Sequence, residues 1–183
     1  MQKPENKKEK QMEQTKIIAV TVENQPGVLA RVAGLFSGRA FNIISLAVGE
    51  TEDDTMSRMT IVARGDELVL EQILKQLNKL IDVIKVVDMS EEKCIERELA
   101  LVKVNVAGKS KEELMTVVNI FRAKVLDVSN ETFTIEVTGT DEKISGFVDM
   151  VEGFGIKEMV RTGTIALTRA KKTKKQEAKG ESK

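Results

Sequence analysis

The apolar residues of this chain switch between two periods, and the order of the switches predicts its fold. Over residues 16–23, Ile18, Val20 and Val22 fall on one face of a strand. After Pro26-Gly27, residues Val28, Leu29, Val32, Leu35 and Phe36 recur at helical spacing. Alternation returns over 42–49 through Ile44, Leu46 and Val48. An acidic turn then covers 50–54, and a strand over 57–63 carries Met59 and Ile61. Asp66 is placed to cap a second helix with the stripe Val69, Ile73, Leu77 and Leu80, and a strand over 83–88 closes the unit. The predicted order is β-α-β-β-α-β.

The same order follows a second time. Val102, Val104 and Val106 alternate over 101–106, and Ser110 with Glu113 forms a capping box ahead of Leu114, Val117, Val118 and Phe121. Strands over 124–128 and 132–138 flank a turn at Ser129-Asn130. A helix over 141–151 buries Ile144, Phe147, Val148 and Val151. One last strand spans 156–167, with Gly163 as a bulge. The fold class is therefore α+β: two tandem ferredoxin-like domains, each an antiparallel sheet with both helices on one face. The expected boundaries are a disordered tail over 1–15, a first domain over 16–89, a linker over 90–98, a second domain over 99–168, and a basic tail over 169–183. That last segment holds seven basic and two acidic residues and reads as a solvated, disordered end rather than an RNA contact. Domains of about 70 residues are marginal alone. The doubled apolar residues Ile17-Ile18, Ile43-Ile44 and Val86-Val87 place burial on the second sheet face as well, so a homodimer is expected.

Composition narrows the chemistry. The 183 residues carry 29 basic and 29 acidic side chains, so no global field attracts nucleic acid or anionic lipid. No apolar run approaches the ~20 residues of a membrane span, no secretory signal is visible, and Cys94 is the single cysteine. A cytoplasmic location is expected. The chain has no His, Trp or Tyr, which removes imidazole from metal ligation and from acid–base catalysis. No catalytic residue and no metal ligand set is assigned. Six Phe and no other aromatic residue give no base-stacking cluster of the RNA-binding kind, and no GxGxxG follows the first strand.

One place remains where this chain can bind something small. Pro26-Gly27 ends a strand and opens a helix, whose first amides are unpaired and carry partial positive charge. A small carboxylate suits such a turn, particularly where glycine bares the backbone. Taken alone, Pro26-Gly27 is an ordinary turn and Asn42 an ordinary strand start. Arg31, Arg39 and Arg58 read as solvated surface cations, Cys94 as an incidental thiol, and Gly34 and Gly38 as helix-packing positions.

The run Glu23-Asn24-Gln25-Pro26-Gly27-Val28-Leu29, with Asn42-Ile43 downstream, resembles an ACT domain, a ferredoxin-like module that binds amino acids. The stretch from Gly34 to Ile43, then Ser45-Leu46 and Ser57-Arg58-Met59-Thr60-Ile61, is similar to the regulatory small subunits of acetolactate synthase (acetohydroxyacid synthase). The second half agrees through the run from Glu96 to Val104, Ile120-Phe121-Arg122-Ala123-Lys124 and Arg161-Thr162-Gly163. The similarity covers about residues 16–168.

The resemblance implies a chain without an active site, which binds a large catalytic subunit, activates it and confers feedback inhibition by a branched-chain amino acid, usually valine. Thiamine diphosphate, Mg and FAD are then expected on the large subunit only, with no cofactor on this chain. It further implies that ACT domains pair side by side as a homodimer, with the turn of one copy facing the Asn42 region of the other. The effector site so implied comprises Asn24, Gln25, Pro26, Gly27, Val28, Leu29, Asn42 and Ile43. The effector carboxylate meets the amides of Gly27, Val28 and Leu29. Its ammonium meets the side-chain carbonyls of Asn24 and Asn42, and its side chain meets Val28, Leu29 and Ile43. The alternative is a stand-alone ACT-domain regulator of another enzyme or of transcription. The second domain is left with two roles open, a further effector site or a contact for the large subunit.

Overall fold

The computed structural model describes residues 14–90, 93–106 and 111–170, and the chain divides into two compact units between Asp88 and Met89. In the first unit, β1 (Gln14–Glu23), α1 (Val28–Ser37), β2 (Asn42–Glu50), β3 (Met56–Gly65), α2 (Glu67–Leu77) and β4 (Val83–Asp88) follow the order read from the sequence. The antiparallel sheet has the strand order β2-β3-β1-β4, which leaves β2 and β4 as edges. Ile18, Val20 and Val22 of β1 and Met59, Ile61 and Ala63 of β3 point to one face. They pack there with Val28, Val32, Leu35 and Phe36 of α1 and Leu70, Ile73 and Leu77 of α2. Asp66 caps α2, its carboxylate accepting from the Val69 amide at 2.8 Å. The α2 stripe centres one residue later than the spacing suggested: Leu70 is fully buried, and Val69 and Leu80 pack at its margin. On the opposite face Ala19, Thr60 and Val62 are buried too, as the doubled apolar residues imply.

The second unit comprises β5 (Cys94–Asn105), α3 (Lys111–Ile120), β6 (Lys124–Val128), β7 (Thr132–Gly139), α4 (Asp141–Glu152), β8 (Ile156–Arg161) and β9 (Ile165–Thr168). Its strand order is β6-β7-β5-β8, the same topology, and β9 pairs the first part of β5. Ala100, Val102, Val104, Phe133, Ile135 and Val137 meet Leu114, Val117, Val118, Ile144, Phe147 and Val151 in its core. Phe121 packs edge-on against Phe147, with centroids 5.5 Å apart.

Three expectations change at this level. The segment 94–98, read as linker, belongs to β5: Cys94 to Arg97 pair with Thr168 to Ile165, and Glu98 pairs with Gly139. The single last strand is two, with a break at 162–164 where Gly163 adopts φ 78°. Gly34 is exposed, and a Cβ there meets nothing within 4 Å, so no close helix packing requires it. The capping box rests on Ser110, which lies outside the described residues, as do 1–13 and 171–183 of the tails.

Both units share one backbone frame at the end of their first strand. In the first, the Glu23 amide donates to the Asp82 carbonyl at 2.9 Å and the Asn24 amide to the Thr55 carbonyl at 2.7 Å. In the second, Asn105 donates to Gly155 at 2.9 Å and Val106 to Glu131 at 2.7 Å. The side chains on this frame differ, and that difference separates the two units chemically.

Candidate functional site

The turn between β1 and α1 is built in steps. The Gln25 amide donates to Glu23 O at 3.0 Å, Pro26 contributes no donor, and Gly27 reverses the chain at φ 88°, ψ −11°. That left-handed conformation favours glycine and discourages any residue with a Cβ. Gly27 stands at the helix N-cap with no side-chain cap, and its carbonyl accepts the first helical bond from Arg31 N at 3.0 Å. Among the described residues, the amides of Gly27 and Leu29 have no acceptor, whereas Val28 N donates to Gln25 O at 3.3 Å. Two open N–H groups at the positive end of a helix are what a carboxylate requires.

Gln25, Pro26, Gly27 and Leu29 are exposed, but Val28 is 2% exposed and belongs to the core. Of the two apolar residues at this turn, Leu29 is open to solvent and Val28 is not. Asn24 is committed to the fold. Its Nδ2 donates to Glu50 Oε1 at 3.1 Å and to Asp54 O at 2.8 Å, and its Oδ1 accepts from Ser57 Oγ at 3.1 Å. These bonds staple the turn to the β2–β3 hairpin, where Asp53 accepts from Thr55 through both backbone and hydroxyl. The hydroxyl bond to Thr55, more than the backbone one, holds the Asp53 carboxyl below the usual range.

Asn42 opens β2, opposite Arg64 of β3. The chain reaches it through a reversal at Ala40, φ 55°, closed by the Phe41 amide on Phe36 O at 3.0 Å and by the edge-on Phe36–Phe41 contact. Asn42 is exposed and its side chain has no hydrogen-bond partner among the described residues. Ile43 beside it is half-buried against the core margin. β1 and β2 both run antiparallel to β3, so they point the same way, and α1 carries the chain back between them. Gly27 follows the end of β1 near Met56, while Asn42 lies level with Arg64. The eight residue steps from Met56 to Arg64 span ~26 Å at ~3.3 Å each. One chain therefore brings Asn24 to Leu29 together and keeps Asn42 and Ile43 at the other end of its sheet.

Sequence reasoning missed the charge at this turn. Arg31, read as a solvated cation, reaches Asp82 with two bonds, Nε to Oδ2 at 2.6 Å and Nη2 to Oδ1 at 2.8 Å. Its Nη1 lies against Gly27, 3.3 Å from where a Cβ would stand. The hydrogen bond from Arg31 holds the Asp82 carboxyl below the usual carboxylate range, against a smaller opposing effect of burial, and the same bond raises the guanidinium. A depressed carboxyl contributes stability that is fully present above its unfolded value of ~3.9 and lost as pH falls through the native value. In Arg31→Gln the Asp82 titration midpoint is expected to rise back to the ordinary range, as read by NMR of the full chain.

Elsewhere the chemistry is sparse. Cys94 donates to Glu96 Oε1 at 3.1 Å, and burial first and that carboxylate second push its thiol up, away from reactivity. Among the described residues no group of three or more His, Cys, Asp or Glu is placed to hold a metal ion, and no helix is long and apolar enough to cross a membrane.

Comparison with known proteins matches both units. The family described as the AHAS small subunit-like ACT domain matches residues 18–85, and that described as the small subunit of acetolactate synthase matches residues 97–170. A probable acetolactate synthase small subunit of Archaeoglobus fulgidus is 55% identical over 155 residues, which are 85% of this chain and 97% of that protein. The acetolactate synthase small subunit of Mycolicibacterium smegmatis is 52% identical over 85% of this chain and 91% of its own length. The crystal structure of the acetolactate synthase small subunit of Thermotoga maritima superposes with a TM-score of 0.79 at 40% identity, covering 86% of this chain and 99% of that one.

Proposed function

The chain belongs to the acetolactate synthase small-subunit family, with an N-terminal ACT domain, and on that premise we propose that it activates a thiamine-diphosphate-dependent large subunit and makes it inhibitable by valine. Thiamine diphosphate, Mg and FAD belong to that large subunit in this reading. The assembly works in the cytoplasm, in branched-chain amino acid biosynthesis.

The observation that carries the proposal is the separation of Gly27 from Asn42. A zwitterion needs N–H donors for its carboxylate at one end and an acceptor for its ammonium at the other. Within one copy the Gly27 turn and the idle Asn42 amide sit at opposite ends of the sheet. An isologous pair across the free edge of β2 sets the two β2 strands antiparallel, which brings the start of one beside the far end of the other. Asn42 of one copy then approaches the Gly27 turn of its neighbour. The same pairing covers Ile44 and Val48 of β2, each nearly half exposed in the single chain.

In such a site the effector carboxylate accepts from Gly27 and Leu29 amides, the ammonium donates to Asn42 Oδ1 across the interface, and Leu29 and Ile43 flank the isopropyl group. Because the ligand touches two copies, it stabilises the arrangement that holds both ends at the right spacing. A large subunit bound to the pair senses that arrangement.

The test is reconstitution. The full chain is mixed with its large subunit, acetolactate formation is followed, and valine, leucine and isoleucine are each titrated. Addition of the chain is expected to raise the rate, and valine to lower it at smaller concentrations than the other two. A rate indifferent to both the chain and the amino acids removes the proposal. Inhibition led by leucine or isoleucine overturns the choice of valine alone.

A further inference from the structure

We propose that Arg31 reads the carboxylate of the effector, as a cation aimed at the Gly27 turn by Asp82; the inference rests on the effector site just described. A guanidinium has five N–H donors in a rigid plane. Asp82 takes one from Nε and one from Nη2, at 2.6 and 2.8 Å, and fixes the orientation of that plane. Asp82 is itself anchored, since it is 8% exposed and its carbonyl holds the Glu23 amide at the end of β1. What remains is the second hydrogen of Nη2 and both of Nη1, and Nη1 is placed against Gly27 beside the two open amides, reachable because the Arg31 side chain is 49% exposed. An anion at those amides lies next to a guanidinium held in advance, whose charge Asp82 already shares but whose Nη1 donors face the turn.

The alternative is that the ion pair only fastens α1 to the turn before β4. The second unit argues against that necessity. It forms the same backbone frame, Asn105 N on Gly155 O, with a glycine where the first unit has Asp82, and so without a carboxylate for any arginine to meet. The frame closes without the pair. Arg31 and Asp82 are an addition to it, found in the unit that carries the Gly27 turn.

The experiment compares L-valine with L-valinamide, which keeps the ammonium and the isopropyl group but has no anionic end. Binding of each to the full chain is measured by calorimetry, with valinamide read by competition. The wild-type chain is expected to prefer valine. In Arg31→Gln valine binding weakens about ten- to a hundredfold, the range of one charge-assisted hydrogen bond, while valinamide changes by less than about threefold. Arg31→Lys, which keeps the charge and loses the fork, is expected to recover part of the preference. If Arg31→Gln does not fold, Arg31→Lys and Asp82→Asn carry the same comparison, and both are expected to narrow the preference for valine. An equal loss for both ligands, or an unchanged preference, overturns the assignment of Arg31. Failure of the wild-type chain to bind any branched-chain amino acid overturns the effector site itself, and Arg31 with it.

Discussion

Gly27→Asp is expected to abolish inhibition by valine in the reconstituted enzyme, moving the half-inhibiting concentration up at least about a hundredfold, a loss of roughly 2.7 kcal/mol of effector binding. Two causes act together. Gly27 sits at φ 88°, where a residue with a Cβ costs about 1–2 kcal/mol. The new side chain also begins 3.3 Å from Arg31 Nη1, so its carboxylate pairs with the cation and occupies the position of the effector's anionic end. Gly27→Ala separates the two causes. It has the backbone cost without the charge and is expected to give a smaller shift. Titrating valine against acetolactate formation for both variants, each normalised to its own uninhibited rate, checks the order. A Gly27→Asp enzyme as sensitive as the parent removes this turn from the site.

The second large effect concerns stability. Arg161 of β8 holds Glu98 of β5 through two bonds of 2.7 Å each and also reaches Asp141 at the start of α4. The Glu98 side chain is 4% exposed, so it depends on that partner. Arg161→Met leaves a buried carboxylate without compensation, at a cost of about 3–5 kcal/mol. The arginine itself is 30% exposed, and solvent reaching the vacated space favours the lower end of that range. Replacing both partners by apolar residues, Glu98→Met with Arg161→Met, is expected to recover more than half of the loss. The chain has no Trp or Tyr, so urea unfolding is followed by far-ultraviolet circular dichroism. A single variant within about 0.5 kcal/mol of the parent contradicts the assigned role.

Arg161 also marks where the sequence stops being legible. Both β-α-β-β-α-β units could be read because their signals are local: Ile18, Val20 and Val22 alternate, and Val32, Leu35 and Phe36 share a helical stripe. Glu96-Arg97-Glu98 looked like a linker because what makes it a strand is remote. Its partners are β9 and an arginine 63 residues away. Arg31 failed for the same reason, since its carboxylate lies 51 residues downstream in a turn. Asn24 looked like a ligand for ammonium, but Glu50, Asp54 and Ser57 had to be brought beside it before its part in the turn was visible. Val28 is a different kind of error. The helical stripe already placed it in the core with Val32 and Phe36, and that same periodicity argues against using it as a wall for a ligand.

The distance between Gly27 and Asn42 along one sheet has a genetic consequence. If each effector site joins the Gly27 turn of one copy to Asn42 of the other, a pair of identical chains holds two sites, and a lesion at either residue destroys both. A mixed pair behaves otherwise. When one chain is altered at Gly27 and the other at Asn42, both lesions fall in the same site and the second site is assembled entirely from intact residues. Two alleles that are each insensitive to feedback then complement one another, and regulation returns in the heterozygote through a site that neither homodimer possesses.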